Sequence, residues 1–265
     1  MDNAARQPAF YVPHGGGPCF FMDDPAGIWT GMAAFLKTIP ARLPAPPKAI
    51  LIVSGHWETP GFALTGAARP SLVFDYYNFP PHTYKLRYDA PGDPALAERA
   101  AGLLRAAGLP AVVDPERGLD HGVFIPLMVA FPDAVIPVVE MSLDKSLDPA
   151  MHLAAGRALA PLRDDGVLIL ATGMSFHNMR FYGDPRSTEL SKAFDAWLSH
   201  AVGEPTGERD RDLQAWAAAP GGRFAHPEEE HLLPLMVAAG ASEARGTRIY
   251  NEMVVKTAIS AFSFP

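Results

Sequence analysis

Short apolar runs bounded by turn residues alternate along the chain with longer segments whose apolar positions recur at helical spacing. The runs at 9–12, 49–53, 62–64, 111–113, 136–141, 167–171, 248–250 and 258–262 are brief and rich in β-branched residues, which predicts strands, several of them buried on both faces. Segments 28–37, 94–107, 125–131, 151–162, 188–202, 210–219 and 228–239 predict helices, with Gly108 and Gly240 where helix stops belong. This alternation predicts an α/β fold: a central, mostly parallel or mixed sheet flanked by helices. No internal repeat, low-complexity tract or long linker interrupts it, so residues 1–265 are expected to form a single domain. The Pro-rich stretch 40–47 reads as a connection. Segment 74–94, carrying Tyr76, Tyr77, Phe79, His82, Tyr84 and Tyr88, is long for one. It is either a binding loop or a surface loop packed by its own aromatics.

Composition narrows the classes. The 22 Lys+Arg against 29 Asp+Glu give a net charge of −7, without the basic clusters that nucleic acid or anionic membrane would require. The single cysteine, Cys19, excludes an internal disulfide and a Cys-rich zinc site, and the expected compartment is the reducing cytoplasm. The start has no basic segment followed by an apolar run, and the apolar runs fall far short of the roughly 18 residues of a membrane span. With 27 Pro and 23 Gly falling mostly between strands, much of the chain is loop.

Five of the nine histidines occupy one kind of place. His14, His56 and His177 follow the runs 9–12, 49–53 and 167–171; His121 opens a helix, and His231 sits in the first turns of the C-terminal one. Ligand crevices of open α/β sheets lie beyond the carboxyl ends of the strands, so the first three side chains should converge there. Imidazole is a common metal ligand, and separate loops on a rigid sheet can assemble a metal site. For any one histidine, a ring satisfied by backbone is the simpler reading.

The run Gly15-Gly16-Gly17 lacks the GxSxG partner of a hydrolase oxyanion loop, and neither GxxxxGK[ST] nor GxGxxG is present, which leaves a tight turn beside a site. Glu228, Glu229 and Glu230 suit a first helical turn, with Glu228 placed to orient His231 or to replace it as a ligand, whereas His226 would point elsewhere.

The ordered set HGGGP, SGHWE, FDYYNFPPHTYKLRYDAPGDPALA, LDHGVFIPL, GMSFHN and PEEEHLLPL, spanning nearly the whole chain, resembles the class III extradiol ring-cleavage dioxygenases of the LigB type. Within them it is similar to the DOPA 4,5-dioxygenase subgroup. The resemblance implies a metal held by His14, His56 and His231, His177 as catalytic acid/base, and His121 contacting substrate and sharing in catalysis. It further implies non-heme Fe(II), with Zn(II) fitting the same three histidines, and O2 with a small catecholic aromatic as partners. Asp120 is expected to orient His121 or to cap the helix, and Trp57 and Tyr84 to line the substrate pocket. Arg87 and Arg180 are candidates for a substrate carboxylate. A zinc-dependent hydrolase and a non-catalytic binding protein are the alternatives that use the same cleft, and a homo-oligomer is left open.

Overall fold

Each of the eight apolar runs forms a strand in the computed structural model, which describes residues 5–265. They are β1 (Ala9–Pro13), β2 (Ala49–Thr59), β3 (Phe62–Thr65), β4 (Ala111–Asp114), β5 (Val138–Asp144), β6 (Val167–Gly173), β7 (Thr247–Val254) and β8 (Thr257–Phe264). One sheet takes them in the order β4-β3-β5-β2-β6-β1-β8-β7. Its centre, β5-β2-β6-β1, is parallel, and β8 and β7 extend it antiparallel.

The parallel strands are buried on both faces, as their unbroken apolar runs require. Leu51 and Val53 of β2 and Ala9 and Tyr11 of β1 face one core, built with helices α2 (Pro94–Ala106), α4 (Pro149–Leu159), α6 (Arg186–Gly203) and α9 (Leu233–Gly240). Ile50, Ile52, Phe10 and Val12 face the other, with Phe35 and Leu36 of α1 (Thr30–Leu36) and the buried side of α3 (His121–Ala130). The remaining helices are α5 (Pro161–Asp164), α7 (Thr206–Gln214) and α8 (Gly222–Ala225). No helix among the described residues is long and apolar enough to cross a membrane.

Element boundaries differ from the pattern where local chemistry overrides it. β2 continues past residue 53 because its pairing with β5 shifts register between Val53 and Glu58 and then resumes, which carries His56 on an irregular stretch of strand. β5 runs on through Glu140, Ser142 and Asp144, polar but buried. The 151–162 helix breaks at Ala160, ahead of Pro161, and the 210–219 segment is α7 followed by a separate 3-10 turn at Trp216–Ala218. The C-terminal helix begins only at Leu233, with Pro234 in its first turn where a missing N–H is harmless, so Glu228 to His231 form the turn before it.

Two buried polar groups tie this frame together. Arg163, at the end of β6's approach, is fully buried and donates to the carbonyls of Gln7 (2.7 Å), Ala241 (2.6 Å) and Phe264 (3.2 Å). His226 is fully buried with Nε2 3.1 Å from the Ser175 carbonyl, and burial outweighs that bond to push its imidazole down to about 3.

Arg163→Met strands three buried carbonyls, each worth about 1–3 kcal/mol. Urea unfolding should show a fall of at least about 3 kcal/mol with m unchanged. For His226, the unfolded imidazole titrates near 6.5, so below that pH the unfolded chain takes a proton the folded one refuses until about 3. Stability therefore falls with pH across that window, by about 1.4 kcal/mol per pH unit from this group. His226→Gln, which retains a donor toward Ser175, should flatten the slope of unfolding free energy between pH 6 and 4.5 by that amount; an unchanged slope would assign the acid sensitivity elsewhere.

Candidate metal centre and cavity

The parallel alignment of β1, β2 and β6 puts their carboxyl ends on one side, and His14, His56 and His177 meet there. The His14 N–H donates to the Gly173 carbonyl (3.1 Å), prolonging the β1–β6 ladder by one residue. His121 arrives as the first residue of α3, and His231 on the turn before α9.

That turn is seated on the sheet. The His231 carbonyl accepts from the Tyr11 hydroxyl (2.8 Å) and the Met174 N–H (3.2 Å). A Cβ on Gly173 would lie 2.1 Å from the same oxygen, and one on Gly55 would lie 2.8 Å from the Glu230 carbonyl. Glycine at both places is thus what lets the turn reach the strand ends.

Three of the rings are oriented by hydrogen bonds through Nδ1. His14 Nδ1 donates to the Gly15 carbonyl (2.9 Å), His121 Nδ1 to Asp75 Oδ1 (2.7 Å) and His231 Nδ1 to Glu230 Oε1 (2.8 Å). The same Glu230 oxygen lies 3.2 Å from His177 Nδ1, and the His177 and His231 rings stack with centroids 3.3 Å apart. The Nε2 atoms therefore carry the lone pairs of His14, His121 and His231. His14 and His56 bring their Nε2 atoms to 3.3 Å, and His231 Nε2 is buried without a partner. A separation of 3.3 Å suits two nitrogens sharing an ion at roughly 2.0–2.1 Å from each.

Burial holds His14, His56 and His231 well below the usual imidazole range, helped by neighbouring imidazoles, so all three are neutral and ready to ligate. Burial raises the carboxyls of Asp75 and Glu230; the hydrogen bonds and charge of His121 and of His177, together with backbone N–H groups, outweigh it and leave both lowered. Donor atoms of His14, His56 and His121 fall within 4.8 Å of one another, as do those of His177, Glu230 and His231. The His231 ring stands 5.1 Å from His14 and 4.7 Å from His56, centroid to centroid. All five histidines thus share one pocket, and a first-row metal fits its donor set.

Several expected roles are corrected. Asp120 neither orients His121 nor caps α3 with its side chain, and it does not reach the cavity. It is fully buried behind the site, accepting from Ser54 Oγ (2.8 Å) and Arg117 (3.3 Å) beside Glu140, whose carboxyl is raised well above normal by burial and then by Asp120. Asp75 orients His121 instead, also accepting from its backbone N–H (3.1 Å). Trp57 follows His56 on an extended strand, so the pleat turns it away from the cavity, where Arg117 covers its ring. Tyr84 stands behind Tyr76, ring centroids 5.2 Å apart, and does not line the cavity. Glu230, not Glu228, orients His231, because the chain there is a turn and not a helix. His226 does lie outside the histidine cluster, buried after α8. Arg87 and Arg180 are not among the lining residues.

The cavity has a volume of about 540 Å³, with the histidines on its floor. Tyr76, Tyr77 and Phe79 from segment 74–94 form one wall, so the first part of that segment faces the cavity, while Tyr88 is buried against the Phe131 carbonyl (3.1 Å).

The family model for the catalytic LigB subunit of aromatic ring-opening dioxygenase matches residues 8–264. Dioxygenase tasH of Hapsidospora irregularis is 38% identical over 92% of this chain and 81% of its own length. The 4,5-DOPA dioxygenase extradiol of Beta vulgaris is 37% identical over 88% of this chain and 86% of its own. That of Escherichia coli K12 is 34% identical over 90% and 86%. A crystal structure of the E. coli K12 protein JW3007, titled as uncharacterized, covers 98% of this chain and 100% of its own with a TM-score of 0.79 and 29% identity. With its histidines gathered at the strand ends and its matched residues running through every strand of the sheet, the chain belongs to the LigB family of aromatic ring-opening dioxygenases.

Proposed function

We propose that this protein is a metal-dependent extradiol dioxygenase that opens the ring of a catechol with O2, giving a muconate-semialdehyde-type product. The observation that carries the reading is the buried, unpartnered Nε2 of His231 beside the converging Nε2 atoms of His14 and His56. Family membership and relatives named as 4,5-DOPA dioxygenases support the same class.

In this reading His14, His56 and His231 hold the metal, and His121 and His177 serve the substrate. Ferrous iron held there would supply the O2 binding and redox chemistry that ring opening needs, which zinc would not. With its Nδ1 proton engaged by Asp75, His121 presents a lone pair at Nε2 and can accept a phenolic proton from the bound catechol. His177, set by Glu230, is placed to donate a proton to oxygen as the ring opens. The walls of Tyr76 and Phe79 orient the ring and keep bulk water from it.

The test is oxygen uptake by metal-free protein reloaded anaerobically with Fe(II), or in parallel with Zn(II), against a catechol panel that includes DOPA and protocatechuate. Fe-dependent uptake with a yellow ring-opened product is expected; no uptake at stoichiometric iron would sink the proposal. His14→Ala, His56→Ala and His231→Ala should lose bound metal. His121→Ala and His177→Ala should keep it and lose turnover by about 10²–10⁴-fold. Metal loss in His121→Ala with retention in His231→Ala would exchange those two roles. Gly173→Ala, whose methyl meets the His231 carbonyl, should bind metal weakly while remaining folded by circular dichroism.

A further inference from the structure

The cavity walls say what else the substrate carries. Among the described residues no lysine or arginine lines it. Two cations, Arg180 and Lys256, are next in sequence to its lining residues, and neither lines it. Arg180, beside Met179, lies over the Phe181 ring at 5.8 Å. Lys256, beside Val255, lies near Asp184, whose main partner is Arg186. The one lining carboxylate, Asp75, gives Oδ1 to His121 and turns Oδ2 toward His56 at 3.9 Å. Of the backbone donors in the glycine turn, the Gly16 N–H points at Cys19 Sγ, 3.3 Å away. A carboxylate on the substrate thus meets no cationic side chain among the lining residues, and the one lining anion open to an ammonium is Asp75, held among the histidines of the floor by its bond to His121; a charged group on the outward part of the substrate would be desolvated against apolar walls.

The mouth shows the opposite preference. Tyr77 is 80% exposed and Met179 69%, both lining the cavity, with Trp29, Phe79 and Val255 further in. Large apolar side chains left in water around one opening mark a surface that an apolar ligand covers. A bare catechol ring on the histidine floor leaves most of about 540 Å³ empty.

We propose that the catechol taken by this cavity bears an uncharged, apolar substituent, alkyl or aryl, and that Tyr77 and Met179 at the mouth select for it. The inference rests on the ring-opening reading above for the catechol itself, and departs from an amino-acid side chain as the group recognised. The floor fixes the two phenolic oxygens, and the substituent runs outward between Phe79 and Met179 toward Tyr77.

The experiment has a binding arm and a turnover arm. Zinc-loaded protein is titrated calorimetrically with 4-tert-butylcatechol, protocatechuate, DOPA and dopamine, and iron-loaded protein is assayed for kcat/KM on the same four. The alkyl catechol should bind at least about tenfold more tightly than each charged one, with kcat/KM in the same order. Because the four differ in intrinsic acidity, Met179→Arg and Tyr77→Ala complete the test. Met179→Arg should narrow the gap between 4-tert-butylcatechol and protocatechuate, and Tyr77→Ala should weaken the alkyl catechol several-fold more than it weakens protocatechuate. A charged catechol binding as tightly as the alkyl one, or a ratio unmoved by both substitutions, overturns the proposal. Robust oxygen uptake with the order reversed would leave ring opening standing and remove apolar selection. The expected binding order without any uptake would do the reverse, and binding of none of the four would remove both.

Discussion

The site depends on one close approach, that of the turn carrying Glu230 and His231 to the ends of β2 and β6. Backbone meets backbone there at Gly55 and Gly173, and the His231 carbonyl is fixed by the Tyr11 hydroxyl and the Met174 N–H. Because β1, β2 and β6 are parallel neighbours, this seat brings a residue from late in the chain beside His14, His56 and His177. A side chain hung from so tightly held a carbonyl has little freedom to wander.

Two carboxylates divide the rings between them. Asp75 sets His121 and faces His56; Glu230 sets His231 and lies against His177. Each fixes a tautomer as well as an orientation, the usual arrangement behind a metal site. The acids deeper in the frame behave differently. Glu140, sealed behind the sheet next to Asp120 and only partly offset by Arg117, favours its protonated form, whereas Asp75 and Glu230 are ionised because imidazole N–H groups point at them. Position relative to the histidines, not burial alone, separates Glu140 from Asp75 and Glu230.

The strands and their two-sided burial were legible in the sequence, because a parallel sheet needs continuous apolar runs and few other elements produce them. So was the gathering of His14, His56 and His177, which follows from strand ends sharing one side. Asp75 was not legible: it sits amid aromatics in a segment without periodicity, and nothing local ties it to His121, far along the chain. Trp57 misled because adjacency to His56 suggests a shared pocket, whereas extended backbone alternates its faces. Glu230 was obscured by helical patterning over 228–239; the turn exists because its backbone lies against Gly55 and Gly173, a contact that one-dimensional periodicity cannot register. The mouth residues Tyr77 and Met179 share no motif and acquire meaning only from exposure.

The strand order also constrains the newborn chain. β6 lies between β1 and β2, so the first two strands made cannot pair with each other and must wait for one made more than a hundred residues later. At roughly 5–20 residues per second, two apolar strand edges stand open on the ribosome for several seconds or more. His14 waits longer still for His231, so no translation product shorter than 231 residues holds all five cavity histidines. Completion of the histidine cluster is thereby postponed until the sheet is nearly whole, while the waiting strand edges are the segments most open to mispairing during synthesis.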